Sequence, residues 1–314
     1  MVVKTPISLS QIKQLLTSFN LGKLVTVSPL REGTVQSNYF IETICGKYVF
    51  RLYENRSFES VCFERDLLLF LNKNNYPCPN LISNCHGDYT GSYHGKPFMI
   101  MKFFEGMHIN KPSEIHKQQL IQKVAELQII TQDFKSPYCD HRWNYSPELC
   151  FELAQLKAKE INTGEAYKKL SWIEEQISNL ELPDTHPKGI CHCDFHFSNV
   201  LYQGEKLIGL IDFDDANLTY LTFDLVCLID SWTWPFPSEG LYLEQARRIV
   251  KGYEKYRPLF KLEREHLFDV HKLSILFDCI WYFSRGSATD FYEQQKIDYL
   301  DALKRNRFLE ALFY

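Results

Sequence analysis

The chain has 314 residues, 45% hydrophobic and 24% charged, with a formal net charge of −4. Such a length supports a substantial buried core and two lobes, and the balance is that of an ordinary globular protein without the basic excess of a nucleic-acid binder. The ten cysteines are scattered with no Cys-x-x-Cys pair, which argues for reduced thiols and against a disulfide framework or a zinc centre.

Residues 1–6 lack the apolar core of a signal peptide, so the protein is predicted to stay in the cytosol. Ser8-Leu9-Ser10 opens an amphipathic helix with Ile12, Leu15, Leu16 and Phe19 at helical spacing. Strand-like runs at 24–30, 39–44 and 48–53, separated by turn signals at 31–33 and 45–47, predict an antiparallel meander. Alternation along the third strand places Arg51 on the face opposite Tyr48, Phe50 and Leu52. A helical run at 64–71, headed by Glu64, ends at Pro77-Cys78-Pro79 and leads to a hairpin whose second strand, 98–103, reads as buried. Beyond Gly106 the pattern turns helical at 113–131, 147–160 and 165–180, and again at 241–256, 263–283 and 292–313. The apolar region 218–237 is interrupted by Asp224 and Asp230 and ends in prolines, which is wrong for a membrane span. The predicted class is α+β: a small antiparallel β lobe over 1–103, a hinge near 101–106, and a large mainly helical lobe over 104–314.

Between the helices lie His192-Cys193-Asp194-Phe195-His196-Phe197-Ser198-Asn199 and, after a hairpin turning at Gln203-Gly204-Glu205, Leu210-Ile211-Asp212-Phe213-Asp214-Asp215. Phosphoryl transfer from ATP needs a carboxylate at the acceptor hydroxyl and oxygen ligands for Mg²⁺. Asp194 suits the first role, while Asn199 and Asp212 supply a hard-oxygen pair that the nucleotide's phosphates can complete. A zinc reading of Cys191-His192-Cys193 is disfavoured, because alternate side chains of an extended segment diverge.

These two motifs resemble the His-x-Asp-x-x-x-x-Asn loop and the Ile-Asp-Phe/Trp motif of the aminoglycoside phosphotransferase and choline kinase superfamily, and the likeness runs from about residue 9 to 307. Within it, Phe223-Asp224-Leu225, Leu228-Ile229-Asp230-Ser231-Trp232, Phe283-Ser284-Arg285 and Asp290-Phe291-Tyr292 are most similar to homoserine kinases of the kinase-like type. The resemblance implies a protein-kinase-like two-lobe fold using ATP and Mg²⁺. It places Gly33 in the phosphate-covering loop and Met101, Lys102 and Phe103 at the adenine. Arg51 stands where the superfamily offers a lysine to the phosphates, with Glu64 as its predicted partner and Glu59 as a second candidate. His192 is expected to steady the loop, and Asp224 to hold it through backbone amides.

Asp214 and Asp215 lie beside the metal carboxylate, where one of them is expected to meet a cation or the acceptor's amine. Asp230, Trp232, Trp234, Tyr282 and Arg285 are candidates for the acceptor pocket, a carboxylate answering an ammonium and Arg285 a carboxylate. Homoserine is the leading acceptor by likeness, and an aminoglycoside or a choline-type alcohol the near alternative. A nucleotide-binding pseudokinase is the alternative of another class, drawn from Arg51 and the glycine-poor loop. Protein kinase activity is disfavoured: no Ala-Pro-Glu segment follows Asp212, and 218–223 is too short for an activation loop.

Overall fold

The first helix, α1 (Leu9–Leu16), starts where Ser8 and Gln11 satisfy each other: the Gln11 amide donates to Ser8 Oγ (3.3 Å) and the Ser8 amide to Gln11 Oε1 (2.8 Å). The structure is a computed structural model that describes residues 4–30, 35–234, 240–284 and 292–314. By its contacts the chain divides into two compact units. One comprises Met1–Asn110, Asp133–Arg142 and Phe197–Asp214, the other Lys111–Gln132, Trp143–His196 and Asp215–Tyr314.

The first unit is built on an antiparallel sheet of β1 (Leu24–Leu30), β2 (Ser37–Thr43), β3 (Gly46–Leu52), β4 (Thr90–Tyr93) and β5 (Lys96–Lys102) in the order β1-β2-β3-β5-β4. Its apolar face carries Ile41, Tyr48, Phe50, Leu52, Phe98 and Ile100, which bury Ile12 and Leu16 of α1. Helix α2 (Phe58–Lys73) begins at the Ser57 cap, well before the predicted 64–71 run, so Glu64 sits inside the helix and is 1% exposed.

The hairpin whose strands span 200–203 and 206–210 belongs to this unit and not to the helical one, so the chain is not divided by a single cut after residue 103. The reason is local bonding: the Leu210 amide donates to the Pro77 carbonyl (2.7 Å), and Met107 and Tyr202 exchange backbone bonds of 2.9 Å. A side chain at Gly209 would press on the Phe104 ring at 3.0 Å, so the glycine admits this close crossing.

The second unit is helical: α3 (Glu114–Ile130), α4 (Pro147–Ile161), α5 (Gly164–Ser178), α6 (Phe223–Thr233), α7 (Leu243–Glu254), α8 (Lys261–Glu265), α9 (Leu267–Ser284), α10 (Tyr292–Leu303) and α11 (Arg305–Phe313). A two-stranded antiparallel ribbon, β6 (Lys188–Cys191) with β9 (Asn217–Tyr220), interrupts them; the strands of the first unit's hairpin are β7 (Val200–Gln203) and β8 (Lys206–Leu210). Two predicted helices are each divided. The 263–283 run breaks at His266, and the 292–313 run breaks at Lys304, whose backbone stands at φ 68, ψ 145. Among the described residues no helix is long and apolar enough to cross a membrane. All ten cysteines are free thiols.

Candidate functional site

In the first unit, strand alternation turns Arg51 away from the apolar face, and register sets it opposite Asn38 and Met99. Its Nη2 donates to Asp212 Oδ1 in an ion pair, with the Arg51 side chain 10% and the Asp212 side chain 39% exposed. This corrects the expected pairing with Glu64. Glu64 lies near enough to feel the guanidinium, but burial dominates and pushes its carboxyl up to about 7. Glu59 lies in the first turn of α2 and likewise makes no ion pair with Arg51. Asp212 itself sits at φ 67, in the left-handed region that non-glycine residues rarely enter. Asn199 is buried, its backbone carbonyl accepting the Ile211 amide at 2.9 Å, so the two ends of the hairpin are tied together.

Asp214 is the one of the two aspartates that meets a cation, but that cation is Arg56 of the protein, and the carboxylate is enclosed and not open to a substrate as its candidacy for the acceptor required. Gln36 Nε2 donates to its Oδ2 (2.6 Å) and Arg56 Nε to its Oδ1 (3.0 Å), while Arg142 donates to its backbone carbonyl. Arg142 reaches back to the Ser60 carbonyl (3.1 Å) and hydroxyl (2.9 Å). Burial alone would raise the Asp214 carboxyl; Arg56, Arg51 and Arg142 with the Gln36 bond bring it down to about 2. Gln36, Arg56 and Arg142 escaped sequence reasoning because they come from loops with no periodic pattern.

At the predicted hinge, Met101 is buried in β5 and the Phe103 ring meets Phe40 edge to face at 5.0 Å. The Lys102 amide donates to the Asn80 carbonyl (2.8 Å) and the Phe103 amide to the Lys47 carbonyl (3.0 Å). Those two donors are therefore committed within the protein. Gly33 and Arg285 lie outside the described residues, as do Asp290 and Phe291 and the side chain of Tyr282.

In the second unit, the motif loop leaves β6 and is held by a buried carboxylate of α6. Asp224 accepts the His192 amide at Oδ2 (3.0 Å) and the Cys193 amide at Oδ1 (2.8 Å). Burial raises its carboxyl to about 6 against the pull of His192 and those amides. The fully buried His192 stacks near Phe195 (4.6 Å), and its Nδ1 accepts the Asp194 amide (3.3 Å). Cys193 stands at φ 64, and the next residue, Asp194, is exposed. Asp215 is half-buried, and its carbonyl accepts Asn217 Nδ2 (2.8 Å).

Trp232 is half-buried on α6 and Trp234 is buried just past its end. Asp230, offered as the answer to an ammonium, is already answered: Lys296 Nζ lies 2.6 Å from Oδ2 and His271 Nε2 lies 3.5 Å from Oδ1. A second carboxyl nearby, Asp278 of α9, was not anticipated; helical periodicity alone gave no reason to separate it from the polar residues of that run.

Comparison with known proteins bears on this arrangement. The model of the phosphotransferase enzyme family matches residues 26–259. A protein named homoserine kinase from Methylobacterium radiotolerans is 28% identical over 302 residues, covering 96% of this chain and 89% of the relative. Among solved structures, a microcompartment-associated aminopropanol kinase superposes with a TM-score of 0.70 at 16% identity, covering 97% of this chain and all (100%) of the other. An amicoumacin kinase in complex with AMP-PNP and Ca²⁺ gives 0.69 at 15% identity, covering 98% and 93%.

Proposed function

Because the chain belongs to the phosphotransferase enzyme family, we propose that it moves the γ-phosphoryl group of ATP, held with Mg²⁺, to the side-chain hydroxyl of homoserine. Asp194 orients that hydroxyl and takes its proton late in a largely dissociative transfer, where positioning matters more than base strength. Asn199 and Asp212 would hold the ion through hard oxygens, a donor set that fits magnesium, and the ion would neutralise charge on the phosphates. Arg51 then exchanges Asp212 for the phosphates, to which its planar fork is matched. The adenine rests by Met101, Lys102 and Phe103, with its polar edge met from Phe104 onward, since the two preceding amides are occupied. Gly33 is kept as the phosphate-covering residue, and Trp232, Asp215 and Arg285 as acceptor contacts.

The observation that carries this reading is the backbone at both motifs. Cys193, next to Asp194, and Asp212 are held at positive φ, a conformation that costs about 1–3 kcal/mol per residue and persists where side-chain direction serves a purpose. Asp224 holds the first of them through the His192 and Cys193 amides, and Arg51 fixes the Asp212 carboxylate.

The test is turnover of ATP with Mg²⁺ against homoserine, 1-aminopropan-2-ol, choline and an aminoglycoside. Homoserine should be phosphorylated fastest, and Asp194→Asn should lower kcat by at least about 100-fold while leaving ATP affinity and the melting temperature unchanged. Turnover that is indifferent to every acceptor, or that survives in Asp194→Asn, refutes the assignment, and ATP binding with no turnover at all leaves nucleotide binding without catalysis as the reading.

A further inference from the structure

Gln36 stands just ahead of β2 and is 2% exposed, yet both ends of its carboxamide are met within the first unit. Its Oε1 accepts the Glu54 amide (2.7 Å), and its Nε2 donates to Asn55 Oδ1 (2.9 Å) and to Asp214 Oδ2 (2.6 Å). These partners fix the orientation of the amide as well as its place. Turned over, it would set an oxygen against the Asp214 carboxylate and an NH₂ group against the Glu54 amide, and both bonds would be lost in a buried setting.

The partners flank the two sides of the Arg51–Asp212 ion pair. Glu54 and Asn55 follow directly on β3, the strand that carries Arg51, and Asp214 follows Asp212 in the same short turn. Both anchors are firm. The Glu54 side chain is 0% exposed, and its carboxylate accepts Ser37 Oγ (2.5 Å), Lys96 Nζ (2.5 Å) and the amide and hydroxyl of Thr5 (2.7 Å each). Gln36 and Ser37 thus grip the amide and the carboxylate of one residue. Asp214 is bound at its other oxygen by Arg56 Nε (3.0 Å). Gln36 therefore ties the end of the Arg51 strand to the Asp212 turn, with a hydrogen bond to neither residue of the pair among the described residues.

Resting on the phosphotransferase reading, we infer that Gln36 is a positioning residue, which sets the Asp212 carboxylate relative to the Arg51 guanidinium and so directs it to the ion. Asp212 has a half-exposed side chain on a backbone at φ 67, and the direction of that side chain follows the backbone that bears it. Asp214, enclosed two residues on, is the fixed point that Gln36 supplies. Such control matters because a misplacement of about 1 Å at a reacting centre can cost about 100-fold in rate.

The experiment has two arms, both on the full chain. In the unliganded protein, denaturant unfolding of Gln36→Leu, Asp212→Asn and the double variant forms a thermodynamic cycle. The two effects should depart from additivity by about fivefold or more in the unfolding constant, whereas sites that share nothing add. In calorimetric titrations with AMP-PNP, the ratio of dissociation constants without and with Mg²⁺ should fall about fivefold or more in Gln36→Leu, with the metal-free constant within about threefold of the wild type. Gln36→Glu, which sets a carboxylate against Asp214, should show the same loss. Adding Asp214→Asn restores a donor to that contact and keeps an acceptor for Arg56, so the pair should recover part of the ratio. If Gln36→Leu does not fold, Gln36→Glu takes its place in both arms. An additive cycle, a ratio equal to that of the wild type, or an equal loss with and without Mg²⁺ overturns the assignment. If the wild type itself shows neither magnesium dependence nor turnover, the phosphotransferase reading falls, and the cycle alone decides whether Gln36 holds the pair.

Discussion

Arg51 of β3 gives the first unit an ion pair at the motif carboxylate. Its guanidinium reaches Asp212, so the carboxylate proposed for the ion has a cation partner within the first unit. Asp214, two residues on, is bound on both oxygens and serves the structure. Asp214→Asn should destabilise the protein by about 3 kcal/mol in chemical denaturation at pH 7, because it leaves the buried Arg56 without its carboxylate. The sign with pH follows from a native pKa near 2, below the ordinary value of 3.8: the stabilisation is present above about pH 4 and is lost as pH falls towards 2. The variant's stability should therefore change less than that of the wild type between pH 4 and 2, and identical profiles would exclude this role. Which aspartate is open and which enclosed could not be read from Ile211-Asp212-Phe213-Asp214-Asp215, since the deciding partners, Gln36, Arg56 and Arg142, lie 72 to 178 residues away. Spacing alone is what nominates Asp194, Asn199 and Asp212 for the proposed chemistry, because phosphoryl transfer constrains residue type as well as position.

Elements were legible where caps and periodicity agreed. Ser8, Ser113, Ser146 and Thr163 each accept an amide from the first turn of the helix they precede, whereas α2 begins at a Ser57 cap that the 64–71 periodicity did not reveal. The breaks were hidden for the opposite reason. His266 and Lys304 carry no turn signature, so tertiary packing, not local preference, divides α8 from α9 and α10 from α11. Lys304 adopts backbone angles that glycine tolerates far better than any L-residue. Lys304→Gly should therefore raise stability by about 1 kcal/mol, or about 2 °C in melting temperature, as read by calorimetry. A lower midpoint would mean that the lysine side chain contributes more than the strain it bears.

At the scale of the whole molecule, the resemblance conveyed the α+β class and the phosphotransferase family, both of which the comparisons bear out. A boundary drawn at one residue could not anticipate a unit made from separate stretches of chain. The first unit takes Asp133–Arg142 and Phe197–Asp214 from beyond its main segment, and these supply the Arg142 bonds to Ser60 and the Leu210 bond to Pro77. A fragment of residues 1–110 should therefore lack a cooperative thermal transition and expose apolar surface to a hydrophobic dye. A sharp, reversible melt of that fragment would show the sheet with α1 and α2 to be self-sufficient.

That discontinuity bears on synthesis. The nascent chain must hold β1 to β5 unfinished while every residue through Asp214 is translated, so the early sheet waits on the ribosome with its apolar surface partly uncovered. Chaperone dependence and the yield of soluble product should accordingly respond to codon speed between 110 and 214 more than to codon speed after it.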